Sequence, residues 1–590
     1  MTTLTDRVRE HVRRRPSGTA CTFLNPTRTG FTESTLTYQE LDHGARALAT
    51  LLAERDLAER PVLLLYPEGL EFQRVFLACM YANAIAVPAP VPKKSRSRGY
   101  ERVTAILADT DVGLVCTSGE LQADVRAWLA DIGGKRSVDC LATDTATGGD
   151  PTFRPRPVDQ DATLLVQYTS GSLSRPRGIR VTHRSLLHNQ RHFDAAFGAG
   201  LHGVIGGWVP HFHDMGLIGH LLTALYQGVP VVTMAPVHFA MHPHLWLRMI
   251  SDYGITMSAA PDFAYRACVH RVRDDQLDGV DLSRWICAIN GSEPIRADTV
   301  EAFIRRFHDH GFAPTTMCPG YGLAEATLFV SGTPLDEPPL IVDVDARALE
   351  QHRVTAPQGA ITRLVGSGTA PNLGVLIVHP DTRVPLDDRQ VGEIWVRGES
   401  VSPGHLRPGL DDDAVFRAVT ADGDRPYLRT GDLGFLDGDV LFVTGRRKEM
   451  LVLQGRNIYP YDLEAAIGQL DPGLRDGAGA VFTVEDTDES VVVLHELDRT
   501  RVAAPSLDDL AARIRHELTS RFEVTASTVA LLPPRGIDRT TSGKIRRVEA
   551  RHRFLDGTLD ILHQVGRGPS RAGTGHAREG SVAEALPVRR

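Results

Sequence analysis

The sequence predicts an α/β protein, from short apolar runs that alternate with helical patterns, a β-rich texture confined to one later segment, and a return to mixed patterns near the C-terminus. PVLLLYP, AIAVPAP and VGLVCTS are strand-length runs bounded by turn residues, and LEFQRVFLACMYAN between the first two spaces its apolar residues as a helix. That alternation predicts a doubly wound parallel sheet up to about residue 330. From about Leu364 to Phe442, GVLIVHPDTRVPL, GEIWVRG and VLFVTG read as short strands of a small β-rich subdomain. Beyond GRRKE (Gly445 to Glu449), DLEAAIGQL, VVVLHEL and DDLAARIRHELTSRF predict a separate small α+β domain. The expected division is an N-terminal domain over 1–445, a C-terminal domain over 446–566 and a tail over 567–590. Gly, Ser, Arg and Ala dominate that tail, which predicts disorder because few large apolar groups are left to bury.

The 590 residues are 42% hydrophobic and 23% charged, a globular balance that excludes collagen-like and disulfide-stapled classes. A net charge of −8 argues against a nucleic-acid partner. The seven cysteines (Cys21, Cys79, Cys116, Cys140, Cys268, Cys287, Cys318) are scattered without a CxxC pair, as expected of buried thiols in a reducing cytoplasm. The opening MTTLTDRVREHVRRRP carries charges throughout and no apolar h-region, so it is expected to be neither a signal peptide nor an anchor. Met215 to Leu247 lacks any Asp, Glu, Lys or Arg, but Pro230, Pro236 and Pro243 interrupt it. It therefore reads as a buried helix (Leu217 to Leu225) and a buried strand (Val231 to Met234), with no stable membrane insertion. Only five of the 65 basic residues are lysine (Lys93, Lys94, Lys135, Lys448, Lys544), so each is informative where a compact ammonium is needed.

The most specific local signal is YTSGSLSRPRG (Tyr168 to Gly178), set between the apolar strands TLLVQ and IRVTH. Two glycines among hydroxyl residues let backbone N–H groups and side-chain hydroxyls converge on phosphate oxygens, although the GK[ST] ending of a Walker loop is missing. Further along come NGSEP (Asn290 to Pro294), YGLAEAT (Tyr321 to Thr327), YLRTGDLG (Tyr427 to Gly434), GRRKE and TTSGKIRR (Thr540 to Arg547).

Taken in order, over about residues 10 to 565, these motifs resemble those of the adenylate-forming superfamily. The resemblance is to its fatty acyl-AMP ligases in particular, through WVPHFHDMGLIG (Trp208 to Gly219), NGSEP and YGLAEATL. A long segment between Thr327 and Leu364 resembles the insertion of those ligases, here expected at about 334–358. The resemblance implies an enzyme that uses ATP and Mg²⁺ to turn a medium- or long-chain fatty acid into an acyl-adenylate. The acyl group then passes to the thiol of a holo acyl carrier protein, expected as a separate chain because no carrier domain follows residue 566. Alternatives are a fatty acyl-CoA ligase and a non-catalytic adenylate-binding scaffold.

Residue roles follow from that resemblance and from the chemistry of two anionic partners. Lys544 is expected to stabilise charge on the α-phosphate and pyrophosphate, Glu325 with Thr169 to hold Mg²⁺, and Thr169, Ser170, Gly171 and Ser172 to contact phosphates. Asp432 would accept the ribose hydroxyls and Arg446 support them. Adenine would lie between Gly291, Ser292, Glu293 and Pro294 on one side and Tyr321 with Gly322 on the other. His213, Asp214 and Met215 would mark the mouth of an acyl tunnel lined by Phe263, Ala264 and Tyr265. Glu449 is the expected hinge of a mobile C-terminal domain. Leu173, Ser174 and Arg177 depart from the family's usual phosphate loop, and Asp262 stands where asparagine is frequent.

Overall fold

The computed structural model describes residues 3–28, 30–92, 98–132, 138–155, 157–168, 176–197, 203–409, 411–453, 455–485, 489–539 and 544–566. The expected contacts of Thr169, Ser170, Gly171 and Ser172, the departures at Leu173 and Ser174, and the tail over 567–590 lie outside them. The chain forms two compact units, one of Met1–Tyr459 with Thr540–Lys544, the other of Pro460–Arg539 with Ile545–Arg590.

Two sheets with parallel interiors carry the first unit. One has six strands in the order Asp139–Ala142, Leu114–Thr117, Pro61–Leu65, Ile85–Ala89, Thr163–Tyr168 and Gly178–Thr182, all parallel except for the last. The other has eight, in the order Phe329–Gly332, Met317–Gly322, Cys287–Asn290, Ile255–Ala260, Val204–Gly207, Val231–Met234, Thr19–Pro26 and Phe31–Thr37. Its six inner strands run parallel, and an antiparallel strand closes each edge. Runs such as VLLL and TMSAA are buried on both faces, which is why they read as continuous apolar stretches rather than alternating ones. All seven cysteines are buried and free.

The uncharged stretch after Met215 folds as a π-helix, Met215–Leu222, continued by the helix Thr223–Gln227 and the strand Val231–Met234. Thr223 supports the wider turn, its hydroxyl donating to the Ile218 carbonyl at 2.8 Å. No described helix is long and apolar enough to cross a membrane.

The β-rich segment is a four-stranded antiparallel sheet: Gly374–Val378, Gly392–Arg397, Leu428–Asp437 and Val440–Arg446. The insertion is ordered too. The strand Ile341–Asp345 leads into a short helix, Ala346–Glu350, and pairs antiparallel with Ile361–Val365. Arg363 ties this hairpin to the helix Ala297–Phe307 through Glu301 and Asp298.

Residues 446–459 pack with the first unit, so the units divide at Tyr459 rather than at the 445/446 boundary read from the sequence. The physical reason is local. Tyr459 is buried beside Phe435 and Phe442, its hydroxyl reaches Thr444 Oγ1 at 3.1 Å, and Arg456 grips Glu350 of the insertion with two bonds of 2.8 Å.

In the second unit a four-stranded sheet, in the order Leu474–Glu485, Glu489–Leu497, Ala526–Leu532 and His563–Gly566, carries the helices Pro460–Gly468, Leu507–Phe522 and Arg547–Leu555. Its core contains a buried Arg547–Glu464 pair, closed by bonds of 3.0 and 2.9 Å, and Glu464 also accepts the Val481 N–H at 2.8 Å. That satisfies a carboxylate which burial alone would strongly disfavour.

Candidate active site

The candidate site is built by loops at the carboxyl ends of the parallel strands, where open α/β sheets usually bind ligands. Gly207 ends one strand and leads to Trp208 and the HDM turn. Asn290 ends a second and leads to NGSEP, and the strand Met317–Gly322 delivers Tyr321. The fit is close: a Cβ on Gly291 would stand 2.7 Å from the Gly320 carbonyl oxygen, and one on Gly322 would overlap the Leu328 carbonyl. Ser292 adopts φ +72, a left-handed conformation that is rare for a residue with a side chain and is frequent at functional turns.

Tyr321, Asp432 and Arg446 meet. The Tyr321 hydroxyl donates to Asp432 Oδ2 at 2.7 Å, and Arg446 Nε lies 3.0 Å from Asp432 Oδ1. Strand pairing explains the second contact, since Asp432 and Arg446 are register partners in the small sheet. Burial, and then the Asp432 charge, push the Tyr321 phenol far up, so it stays a donor. Thr430, which sequence reasoning missed, completes the set: its hydroxyl accepts the Asp432 N–H at 3.1 Å and donates to the Ile394 carbonyl at 2.7 Å.

The acids form the second half of the site. Asp214 precedes the π-helix and accepts the Met215 N–H at 2.7 Å, with His213 Nδ1 at 2.8 Å. Burial opposes its charge, yet His213, Lys544 and the Met215 N–H together hold its carboxyl below the usual range. Glu325, in the turn Ala324–Ala326, is pushed up by burial, while Arg446 acts in the other direction and Asp432 and Asp214 reinforce the shift. Glu293 is pushed up by burial and by Asp262, and its Oε1 accepts the Phe263 N–H at 2.6 Å.

Lys544 belongs to this same unit. Burial and the Arg446 charge lower its ammonium, while Asp214, Glu293 and Asp432 hold the proton on. The sequence therefore separates by hundreds of residues what the fold gathers: one lysine, one arginine and acids from four different segments of the chain.

Two expected groups stand elsewhere. The Tyr265 ring is enclosed by Trp246, Trp285 and Phe303 and its hydroxyl donates to the Ile289 carbonyl, while Ala264 is fully buried in the same cluster. Both are core residues, carried by the helix Asp262–Arg271. Phe263 stays half-buried, edge-on to the stacked pair Trp208 and Phe239. Asp262 is a buried structural acid, accepting from Asn290 Nδ2 at 3.1 Å and from the Thr299 hydroxyl at 3.0 Å. Arg177 is paired with Asp411 at 2.8 Å. Glu449 lies in the turn after Arg446, inside the first unit.

A second pairing also escaped the sequence. His211 Nδ1 lies 2.6 Å from Glu68 Oε2, its ring against Phe72 at 3.9 Å. The only signal for it was one more histidine in an apolar run.

Among the described residues no group of three or more His, Cys, Asp or Glu gathers into a metal cage. A single buried carboxyl such as Glu325 does fit Mg²⁺, which is commonly held by one or two carboxylates together with substrate phosphates.

A fold of paired α/β sheets with a buried lysine among acids and a Tyr–Asp–Arg cluster defines a nucleotide-dependent, adenylate-forming enzyme, and the chain belongs to the AMP-binding enzyme family, whose model matches residues 8–406. Within that family it stands with the fatty acyl-AMP ligases. A medium-chain-fatty-acid–[acyl-carrier-protein] ligase of Moorena producens is 37% identical over 538 residues, covering 89% of this chain and 91% of the relative. A long-chain-fatty-acid–AMP ligase of Mycobacterium marinum is 32% identical, covering 94% and 97%. The crystal structure of a fatty acyl-adenylate ligase from L. pneumophila, in complex with acyl adenylate and pyrophosphate, superposes with a TM-score of 0.72 at 32% identity, over 96% of this chain and 98% of the other.

Proposed function

We propose that the chain activates a medium- or long-chain fatty acid as its acyl-adenylate and then passes the acyl group to the phosphopantetheine thiol of a separate holo acyl carrier protein. The observation that carries the reading is the meeting of Lys544 with Asp214, Glu293 and Asp432 in one unit.

In the first step a carboxylate oxygen of the fatty acid attacks the α-phosphorus of ATP, and the bond to the β-phosphate oxygen breaks to release pyrophosphate. Both reactants are anions, so the largest contribution a protein can make is fixed positive charge where charge accumulates. Lys544 would supply it: the surrounding acids favour its charged form against the burial that lowers it, and that burial keeps water from screening the charge. Asp432, oriented by Arg446 and Tyr321, accepts the ribose hydroxyls, with adenine between the Gly291–Pro294 turn and Tyr321. His213 and Asp214 orient the reacting carboxylate. Glu325, with Thr169, would hold Mg²⁺, which would supply neutralising charge to the phosphates.

In the second step the carrier thiol attacks the acyl carbonyl and AMP leaves. Rotation of the C-terminal domain about Glu449 would withdraw Lys544 and open a path for that thiol.

The test is to supply ATP, Mg²⁺ and a mixed fatty-acid pool, to measure pyrophosphate and the masses of the adenylates formed, and then to offer holo carrier protein or CoA. Adenylates that are consumed by the carrier and not by CoA are expected. Thioester formed with CoA as readily as with the carrier would instead make the chain a CoA ligase, and the absence of pyrophosphate would make it a scaffold.

A further inference from the structure

We propose that His220 closes the inner end of the acyl pocket and so restricts this enzyme to medium-chain acids. The inference rests on the fatty-acid reading above and adds to it the residue that sets length.

A fatty acid whose carboxylate lies at His213, Asp214 and Lys544 must send its chain toward apolar surface. The surface that begins there is the π-helix Met215–Leu222 and the carboxyl ends of the strands Val204–Gly207 and Ile255–Ala260, all of it buried. At that end the two strands part. Their pairing runs through Ile255 with Val204 and Met257 with Ile205, with a register irregularity between the two, and no pair follows.

The gap is filled by one side chain. The Ala259 N–H, beyond the last pair with the strand Val204–Gly207, donates to His220 Nε2 at 2.9 Å. On the other side the ring lies against Gly207, where any Cβ would overlap it. His220 is 1% exposed, so the imidazole is a wedge between helix and sheet, and the glycine of the facing strand is what admits it. Accepting at Nε2 places the ring proton on Nδ1 and makes the group neutral. Burial, which holds its pKa down to about 4, keeps it so.

A neutral ring costs an apolar pocket little, but it occupies the direction in which a longer chain would have to extend between the strands. Removing it would continue the pocket into the sheet gap. Gly207 and Ala259 would then form its walls.

The experiment compares wild type with His220→Ala and His220→Asn, using an equimolar pool of saturated acids from hexanoate to octadecanoate with ATP and Mg²⁺, and reads the adenylates by mass. Wild type is expected to favour medium-chain products. In His220→Ala the ratio of hexadecanoyl- to octanoyl-adenylate is expected to rise about tenfold or more, the discrimination that a methylene or two carries in an apolar pocket. His220→Asn, which keeps an acceptor for the Ala259 N–H and so protects the fold, should move the ratio the same way by a smaller step. A role confined to folding would lower all products together and leave the ratio unchanged. An unchanged ratio in either variant that still makes adenylate overturns the proposal, as does a wild-type preference for hexadecanoate. Wild type that makes no adenylate from any acid overturns the fatty-acid reading itself, and the proposal with it.

Discussion

Acid should destabilise this protein through two buried histidines, His183 and His220, which are 2% and 1% exposed and are held down to about 4 by burial. In the unfolded chain each would titrate near about 6.5, so between those values the unfolded state binds a proton that the folded state refuses. A folded pKa below the unfolded one means that the stability is complete above about pH 6.5 and is lost as pH falls toward 4. The shift is about 2.5 units for each ring, or about 3 kcal/mol, a large share of the roughly 5–15 kcal/mol that holds a typical domain. At about pH 5.2 unfolding should therefore take up ~0.9 proton per histidine. Calorimetric unfolding in buffers of high and low protonation enthalpy counts those protons directly. His183→Gln and His220→Gln should each lower the uptake by ~0.9, because glutamine has nothing to titrate. If parent and variants take up equal numbers of protons, these rings are not buried as neutral groups and the reasoning fails.

Lys544→Ala should slow adenylate formation by about a hundredfold or more while ATP still binds, and Lys544→Arg should also fail because a planar fork cannot replace a compact ammonium; initial rates of pyrophosphate release decide both. Tyr321→Phe deletes the 2.7 Å bond to Asp432 and should cost about 1–2 kcal/mol, read as a roughly five- to thirtyfold rise in the KM for ATP with kcat less affected. Near-parental KM would remove Tyr321 from ribose positioning. The insertion is fastened at Arg363 to the helix Ala297–Phe307 and at Glu350 to Arg456 and Asn457. Shortening it over 334–358 should leave adenylate synthesis largely intact while raising acyl-CoA formation, by freeing the segment just after Glu449. Background CoA turnover in a trimmed enzyme that still adenylates would assign the discrimination to the thiol path instead.

Much of this protein is legible in its sequence because the relevant physics is local. Strand-length apolar runs separated by helical periodicity specify βα units whatever surrounds them. Motifs such as YLRTGDLG and GRRKE, taken in order, resemble those of the adenylate-forming superfamily, and that resemblance singles out Asp432, Arg446, Glu325 and Lys544 without coordinates. Which of them touch is a different kind of fact. The hydroxyl of Tyr321 finds Asp432 across 111 residues, and only a β-sheet register brings Arg446 to the same carboxylate. The same dependence on distant partners governs APDFAY, whose Ala264 and Tyr265, apolar enough in sequence for a tunnel, pack in a core with Trp246, Trp285 and Phe303. It hid the boundary at Tyr459, which depends on Tyr459 packing against Phe435 and Phe442. His220 is the sharpest case: in sequence it is one more histidine in an uncharged run, and its place as a wedge exists only because Gly207 lacks a side chain and Ala259 has no pairing partner on the strand Val204–Gly207. Composition and periodicity determine which surfaces each segment must bury, and tertiary packing alone decides which distant surface buries them.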